Sequence, residues 1–187
     1  MLRVGVVAAV LGGVVAIGGP AGANAPPRPR TVVLIGDSVM AALNPGYTNA
    51  AAKVIGGAGW KVVIDAKVNR TTSQGADVAR ARRAQETDSV VVMLGQNDGA
   101  TPSVFQRRAA AVMQQLKTVP HVYWLTMREP RYAGANQVLR AMTAQYRNLR
   151  LVDWAHRIQP GWTAKDGLHL TGAGATGMAR LILASLN

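Results

Sequence analysis

No cysteine occurs among the 187 residues. That excludes disulfides, thiolate metal sites and a lipid anchor on a cysteine. Phenylalanine occurs once against many Ala, Val and Leu, so any core must be mainly aliphatic. The three histidines, His121, His156 and His169, are too far apart in the chain to suggest a metal site. There is no phosphate-binding Gly-rich loop, and no cofactor is expected. Acidic side chains are scarce, nine against 21 basic ones, for a formal net charge of +12. Such a surface favours polyanions (nucleic acid, anionic lipid or acidic wall polymers), and it also serves plain solubility.

The chain opens with a leader-like segment. Arg3 supplies a positive start, residues 4–18 form an apolar run broken by glycines, and Ala23-Asn24-Ala25 has the small-x-small pattern of a signal-peptidase site. The run is shorter than the roughly 18–20 residues a membrane span needs. A signal peptide over 1–25, a flexible lead-in over 26–30 and one domain over 31–187 are therefore expected. Removing the leader leaves 20 basic against nine acidic side chains, or +11. Export makes an anionic wall or lipid surface a better partner than nucleic acid, and a monomer is expected.

After the leader, strand and helix patterns alternate with no repeat and no linker long enough to divide the chain. Residues 31–35 form a β-branched apolar run that reads as a strand buried on both faces of a parallel sheet. Further strands are expected over 60–66, 89–94, 121–127 and 149–154. Helices are expected from Ser38 into 39–43 and over 47–55, 75–86, 102–119, 135–147 and 171–186. Thr101 with Pro102 marks one helix start, and Pro120 marks its end. The alternation predicts an α/β fold, a three-layer sandwich with a five-stranded parallel sheet of flavodoxin-like type. Its functional edge lies at the carboxyl ends of the strands.

Three loops on that edge carry chemistry. After strand one come Gly36-Asp37-Ser38, after strand three Gly95-Gln96-Asn97-Asp98, and after strand five Asp166-Gly167-Leu168-His169. A serine hydroxyl needs a base to take its proton, and His169 is the candidate. The imidazole needs an acceptor on its other nitrogen, and Asp166 is three residues away in the same loop. The oxyanion needs fixed donors, for which the Ser38 backbone N–H at a helix start and the Asn97 amide are suited. Asp98 reads as a turn or capping residue, Asp153 as a brace at the end of strand five, and His121 and His156 as structural. Arg70, near the expected cleft, could hold an anionic substrate or be structurally paired. Trp162, four residues before Asp166, could wall a sugar or acyl group or pack under the loop.

With GDSV at 36–39, GQND at 95–98 and DGLHL at 166–170 standing in order, the chain resembles the SGNH, or GDSL-like, hydrolase superfamily. The resemblance implies Ser38 as nucleophile, Asp166 and His169 as the rest of the triad, and Asn97 as an oxyanion donor. Superfamily members usually add a backbone N–H from a glycine after strand two. The corresponding position here carries Asn69, with Gly75 as a fallback. The segments IDAKVNR and LVDW look like those of extracytoplasmic domains of wall-polysaccharide O-acyltransferases. An exported serine esterase acting on short acyl esters, acetyl first, is thus expected. An O-acetyltransferase or deacetylase of wall polysaccharide, and a non-catalytic polyanion-binding module, remain open alternatives.

Overall fold

The computed structural model describes Met1 and residues 29–82, 87–99 and 101–187. The expected leader, and the end of the helix expected over 75–86, lie outside the described residues. Five parallel strands form one sheet: β1 (Thr31–Gly36), β2 (Lys61–Ala66), β3 (Ser89–Met93), β4 (His121–Leu125) and β5 (Leu149–Val152). Their order is β2-β1-β3-β4-β5, as in the flavodoxin-like arrangement. Every residue of β1 and β3 is buried, which explains why both segments are continuously apolar or small rather than alternating.

Among the described residues six α-helices connect and cover the sheet: α1 (Ser38–Ala41), α2 (Thr72–Arg82), α3 (Pro102–Gln115), α4 (Ala133–Thr143), α5 (Trp154–Arg157) and α6 (Gly172–Leu186). α2 packs on α3 and α3 on α4, while α6 packs against a π-helical turn at Ala51–Ile55. The core between these layers is aliphatic, with Trp124 and the single phenylalanine, Phe105, meeting edge to face at 6.1 Å. The Trp124 indole N–H donates to the Leu94 carbonyl at 3.2 Å, which satisfies the one polar atom that this large side chain buries.

Several boundaries differ from the sequence expectation: α3 ends at Gln115 short of 119, α4 runs from Ala133 to Thr143 and not over 135–147, β4 ends at Leu125 short of 127, and the helical turn expected over 47–55 begins at Ala51. Two others have a visible cause. α2 starts at Thr72, three residues early, because a carboxylate from another loop caps it, as described below. β5 ends at Val152 instead of running to Trp154: the Asp153 side chain accepts from the His156 N–H at 3.4 Å and opens the one-turn helix α5.

Trp162 is wedged between α5 and α6. Its ring stacks on Trp154 at 5.9 Å with an interplanar angle of 15°. On α6, a Cβ at Gly177 would lie 2.4 Å from the same ring, and one at Gly174 would lie 1.9 Å from the Trp162 carbonyl. The two glycines therefore let the loop seat on the helix. Gly177→Ala should destabilise the fold by about 1–3 kcal/mol through overpacking, measured as a lower urea midpoint with an unchanged slope.

Candidate active site

Ser38 owes its position to the end of β1. The Asp37 N–H donates to the Met93 carbonyl of β3 at 3.2 Å, and Asp37 Oδ1 accepts from the Val39 N–H at 2.9 Å to cap α1. A Cβ at Gly36 would lie 2.1 Å from the Met40 Cβ, so only glycine lets α1 fold back over the strand end. Ser38 is the first residue of α1 and half-buried, and its N–H, in the first turn, has no intrahelical acceptor.

The loop between α5 and α6 brings its groups to Ser38. Thr163 and Leu170 form an antiparallel bridge, the Ala164 N–H donates to the His169 carbonyl at 2.8 Å, and Gly167, at φ 69°, makes the turn between them. Asp166 Oδ1 accepts from the N–H groups of Leu168 and His169 at 2.9 and 3.0 Å. Its Oδ2 lies 2.6 Å from His169 Nδ1, and His169 Nε2 lies 3.1 Å from Ser38 Oγ. The hydrogen bond to His169, helped by the two backbone donors, pulls the Asp166 carboxyl down to about 2. Both Asp166 and His169 are about half exposed, at 50% and 51% of their side-chain surface, so the line of three groups is open to solvent.

Two residues outside the motifs hold this loop. The Arg128 guanidinium donates to the Gly167 carbonyl at 2.7 Å and to Thr163 Oγ1 at 3.4 Å. Asn136 on α4, fully buried, accepts from the Met127 N–H at 2.8 Å and donates to the Met127 carbonyl at 2.7 Å. It thereby fixes the chain just before Arg128.

On the other flank, Asn97 Nδ2 donates to the Arg70 carbonyl at 3.1 Å. That bond orients the amide and leaves its second hydrogen available to a ligand. Asp98 is buried and has a larger part than a turn residue. Its carboxylate accepts from Thr72 N–H at 3.0 Å, from Thr72 Oγ1 at 2.5 Å and from Arg108 Nη1 at 2.6 Å. It caps α2 from a distant loop and so locks Asn97 beside the chain that precedes α2. In that chain Asn69 has φ 61°, the left-handed conformation that asparagine tolerates. Gly75 is not a substitute donor, since its N–H bonds to the Thr71 carbonyl at 3.0 Å and it packs against Leu94.

The two expected substrate contacts belong to the scaffold. The Arg70 side chain is buried, donates to the Gly36 carbonyl at 3.1 Å and to the Asp65 carbonyl, and pairs with Asp65 Oδ1 at 2.7 Å. Its charge is thus neutralised beneath the strand ends. Trp162 is stacked on Trp154 and packed on α6, as described above. Arg128 and Asn136 escaped sequence reasoning, as did the partners of the capping residue Asp98, because each acts through a residue remote in the chain. His121 Nδ1 meets Arg150 at 2.9 Å and His156 Nδ1 meets Asp153 at 2.8 Å, while it is His169 that bonds Ser38.

No family model matches the sequence, and no curated protein matches it. Similarity appears among solved structures. The C-terminal catalytic domain of peptidoglycan O-acetyltransferase A from Streptococcus pneumoniae, with a methylsulfonyl adduct, superposes with a TM-score of 0.65 at 20% identity, over 84% of this chain and 93% of that domain. The psychrotrophic esterase EstA from Pseudoalteromonas sp., inhibited by monoethylphosphonate, gives 0.68 at 13% identity, over 84% and 96%. A G-D-S-L-family protein from Desulfitobacterium hafniense gives 0.62 at 16% identity, over 82% and 98%. The chain therefore has the α/β fold of SGNH/GDSL hydrolases.

Asp37 adds a pH dependence. Burial, opposed by the Val39 N–H, pushes its carboxyl up to about 7, and its Oδ2 has no hydrogen-bond partner among the described residues. Between about pH 4 and 7 the unfolded chain holds Asp37 ionised while the folded chain keeps it protonated. Stability should therefore fall as pH rises through that window, by at most on the order of 4 kcal/mol, and level off above it. Asp37→Asn keeps an acceptor for Val39 and removes the titration. Its stability relative to the parent should improve between about pH 4 and pH 8 in urea melts, and a constant difference would refute the assignment.

Proposed function

We propose that the chain is a serine esterase that cleaves short acyl esters through an acyl-enzyme on Ser38. One observation carries the reading: Ser38 Oγ, His169 and Asp166 stand in a continuous hydrogen-bonded line of 3.1 and 2.6 Å, though 131 residues separate the first two. Asp166, ionised above about pH 2, accepts a hydrogen bond from His169 Nδ1–H and so favours the tautomer whose Nε2 lone pair faces Ser38. His169 takes the hydroxyl proton as Oγ bonds to the ester carbonyl carbon. The oxyanion is held by the Ser38 N–H and the unused Asn97 hydrogen, with the Asn69 N–H as third donor. The C–O bond to the alcohol then breaks, and the alcohol leaves with the proton from His169 Nε2. Water, deprotonated by the same nitrogen, releases the acid and restores Ser38.

If an acceptor hydroxyl replaces water in the second half, the same groups perform O-acyl transfer. The likeness to a peptidoglycan O-acetyltransferase domain favours keeping this as the second reading, with acetylated wall polysaccharide as substrate. Among the described residues no helix is long and apolar enough to cross a membrane. Cleavage near Ala25 and work outside the cytoplasm complete the proposal.

Wild-type protein should hydrolyse 4-nitrophenyl acetate, and Ser38→Ala should lose at least about 10³-fold in kcat, as should His169→Ala. A fluorophosphonate should add to the peptide containing Ser38, detected by mass spectrometry. Turnover unchanged in Ser38→Ala refutes the nucleophile, and an inert but polyanion-binding wild type favours the binding-module alternative. With an oligosaccharide acceptor present, acylated sugar in place of free acid marks a transferase.

A further inference from the structure

A pocket of about 310 Å³ adjoins the acid end of the Ser38–His169–Asp166 line. One wall is the stretch Asp166–Leu168 and the other is the chain after β4, including Arg128, Arg131 and Tyr132, with Lys165 at the side. Two carboxylates also border it, but both are already engaged. Asp166 serves His169 and two backbone N–H groups. Glu129 accepts from Asn136 at 3.0 Å and pairs with Arg140 at 3.5 Å, which holds its carboxyl below the usual range.

The cations are not balanced in the same way. Arg128 is bound to the Gly167 carbonyl, yet neither Arg131 nor Lys165 pairs with a carboxylate among the described residues. Arg131 is exposed, with its guanidinium 5.4 Å from the centre of the Tyr132 ring. Stacking of this kind orients the guanidinium while leaving its N–H edge for an anion. The Tyr132 ring backs that guanidinium, with its own hydroxyl buried away from solvent.

Resting on the esterase reading, we infer that this pocket selects acyl esters of anionic saccharides, with Arg131 and Lys165 receiving a carboxylate next to the esterified unit. Asp166 lines the pocket and also holds the base that faces Ser38. An ester seated at Ser38 on one sugar ring therefore places the adjoining ring toward the pocket, one imidazole and two hydrogen bonds away. The carboxylate of that ring meets the two cations. Arg70, the cation that sequence alone points to, cannot take this part because its charge is buried against Asp65.

The test compares kcat/KM on two disaccharides acetylated at the same hydroxyl, one with a uronic acid and one with a neutral hexose in the adjoining position. At low ionic strength the wild type should prefer the uronate by about tenfold, chiefly through KM. The preference should shrink at high salt and approach unity in Arg131→Gln/Lys165→Gln. Equal rates on both substrates in the wild type, or a preference that survives the double substitution, overturn the inference while leaving the esterase reading intact. Loss of turnover on every ester, 4-nitrophenyl acetate included, instead defeats the esterase reading. The pocket is then judged by calorimetric titration of the whole protein with trigalacturonate and maltotriose. Binding of the first alone, abolished in the double variant, sustains the inference, and no difference between them refutes it.

Discussion

The register of β1 between its two neighbours is the constraint from which the site follows. Gly36 stands opposite Ala66 on one side and Met93 on the other, so three chains leave the sheet at the same level. The Asp37 N–H reaches the Met93 carbonyl and the Lys67 N–H reaches the Gly36 carbonyl, extending the pairing one step past the strands. Ser38, the left-handed turn at Asn69 and the Asn97 loop thus begin side by side. A slip of two residues would shift one loop by about 7 Å, beyond hydrogen-bond reach.

The scarcity of acidic residues acquires a structural meaning. Asp65 holds Arg70 and Arg82, Asp98 holds Thr72 and Arg108, Asp166 holds His169, and Glu129 holds Asn136 and Arg140. These carboxylates brace loops around the strand ends, where each accepts more than one donor. The basic excess is left on the outside, and two of its members flank the pocket beside Asp166. Local arrangement, not net charge alone, decides what an anionic molecule meets at this edge.

The sheet and the chemical line were legible in the sequence because their signals are local. β1 and β3 are unbroken apolar or small runs, and Gly36-Asp37-Ser38 and Asp166 to His169 each fit in one turn. What sequence could not assign depends on partners far along the chain. Asp98 reads as a turn or capping residue, but which helix it caps shows only once Thr72 is seen against it. Arg70 looks available until Asp65 is beside it, and Trp162 looks like a cleft wall until Gly174 and Gly177 make room for it. Asp153 and His156 repeat the three-residue spacing of Asp166 and His169 and pair in the same way, yet only His169 bonds Ser38 among the described residues. Spacing alone therefore does not say which of two such pairs meets the serine.

The segment bearing Asp166 and His169 is a small closed unit, tied by one bridge, a few backbone bonds and the Arg128 clamp, and it lies outside the sheet. Local opening of such a unit costs less free energy than disrupting five paired strands. Imidazole and hydroxyl can thus part company while the sandwich stays folded. Mild denaturant would break the Ser38–His169 contact before any loss of ellipticity, leaving a population that is native by spectroscopy with its strand-end loops parted.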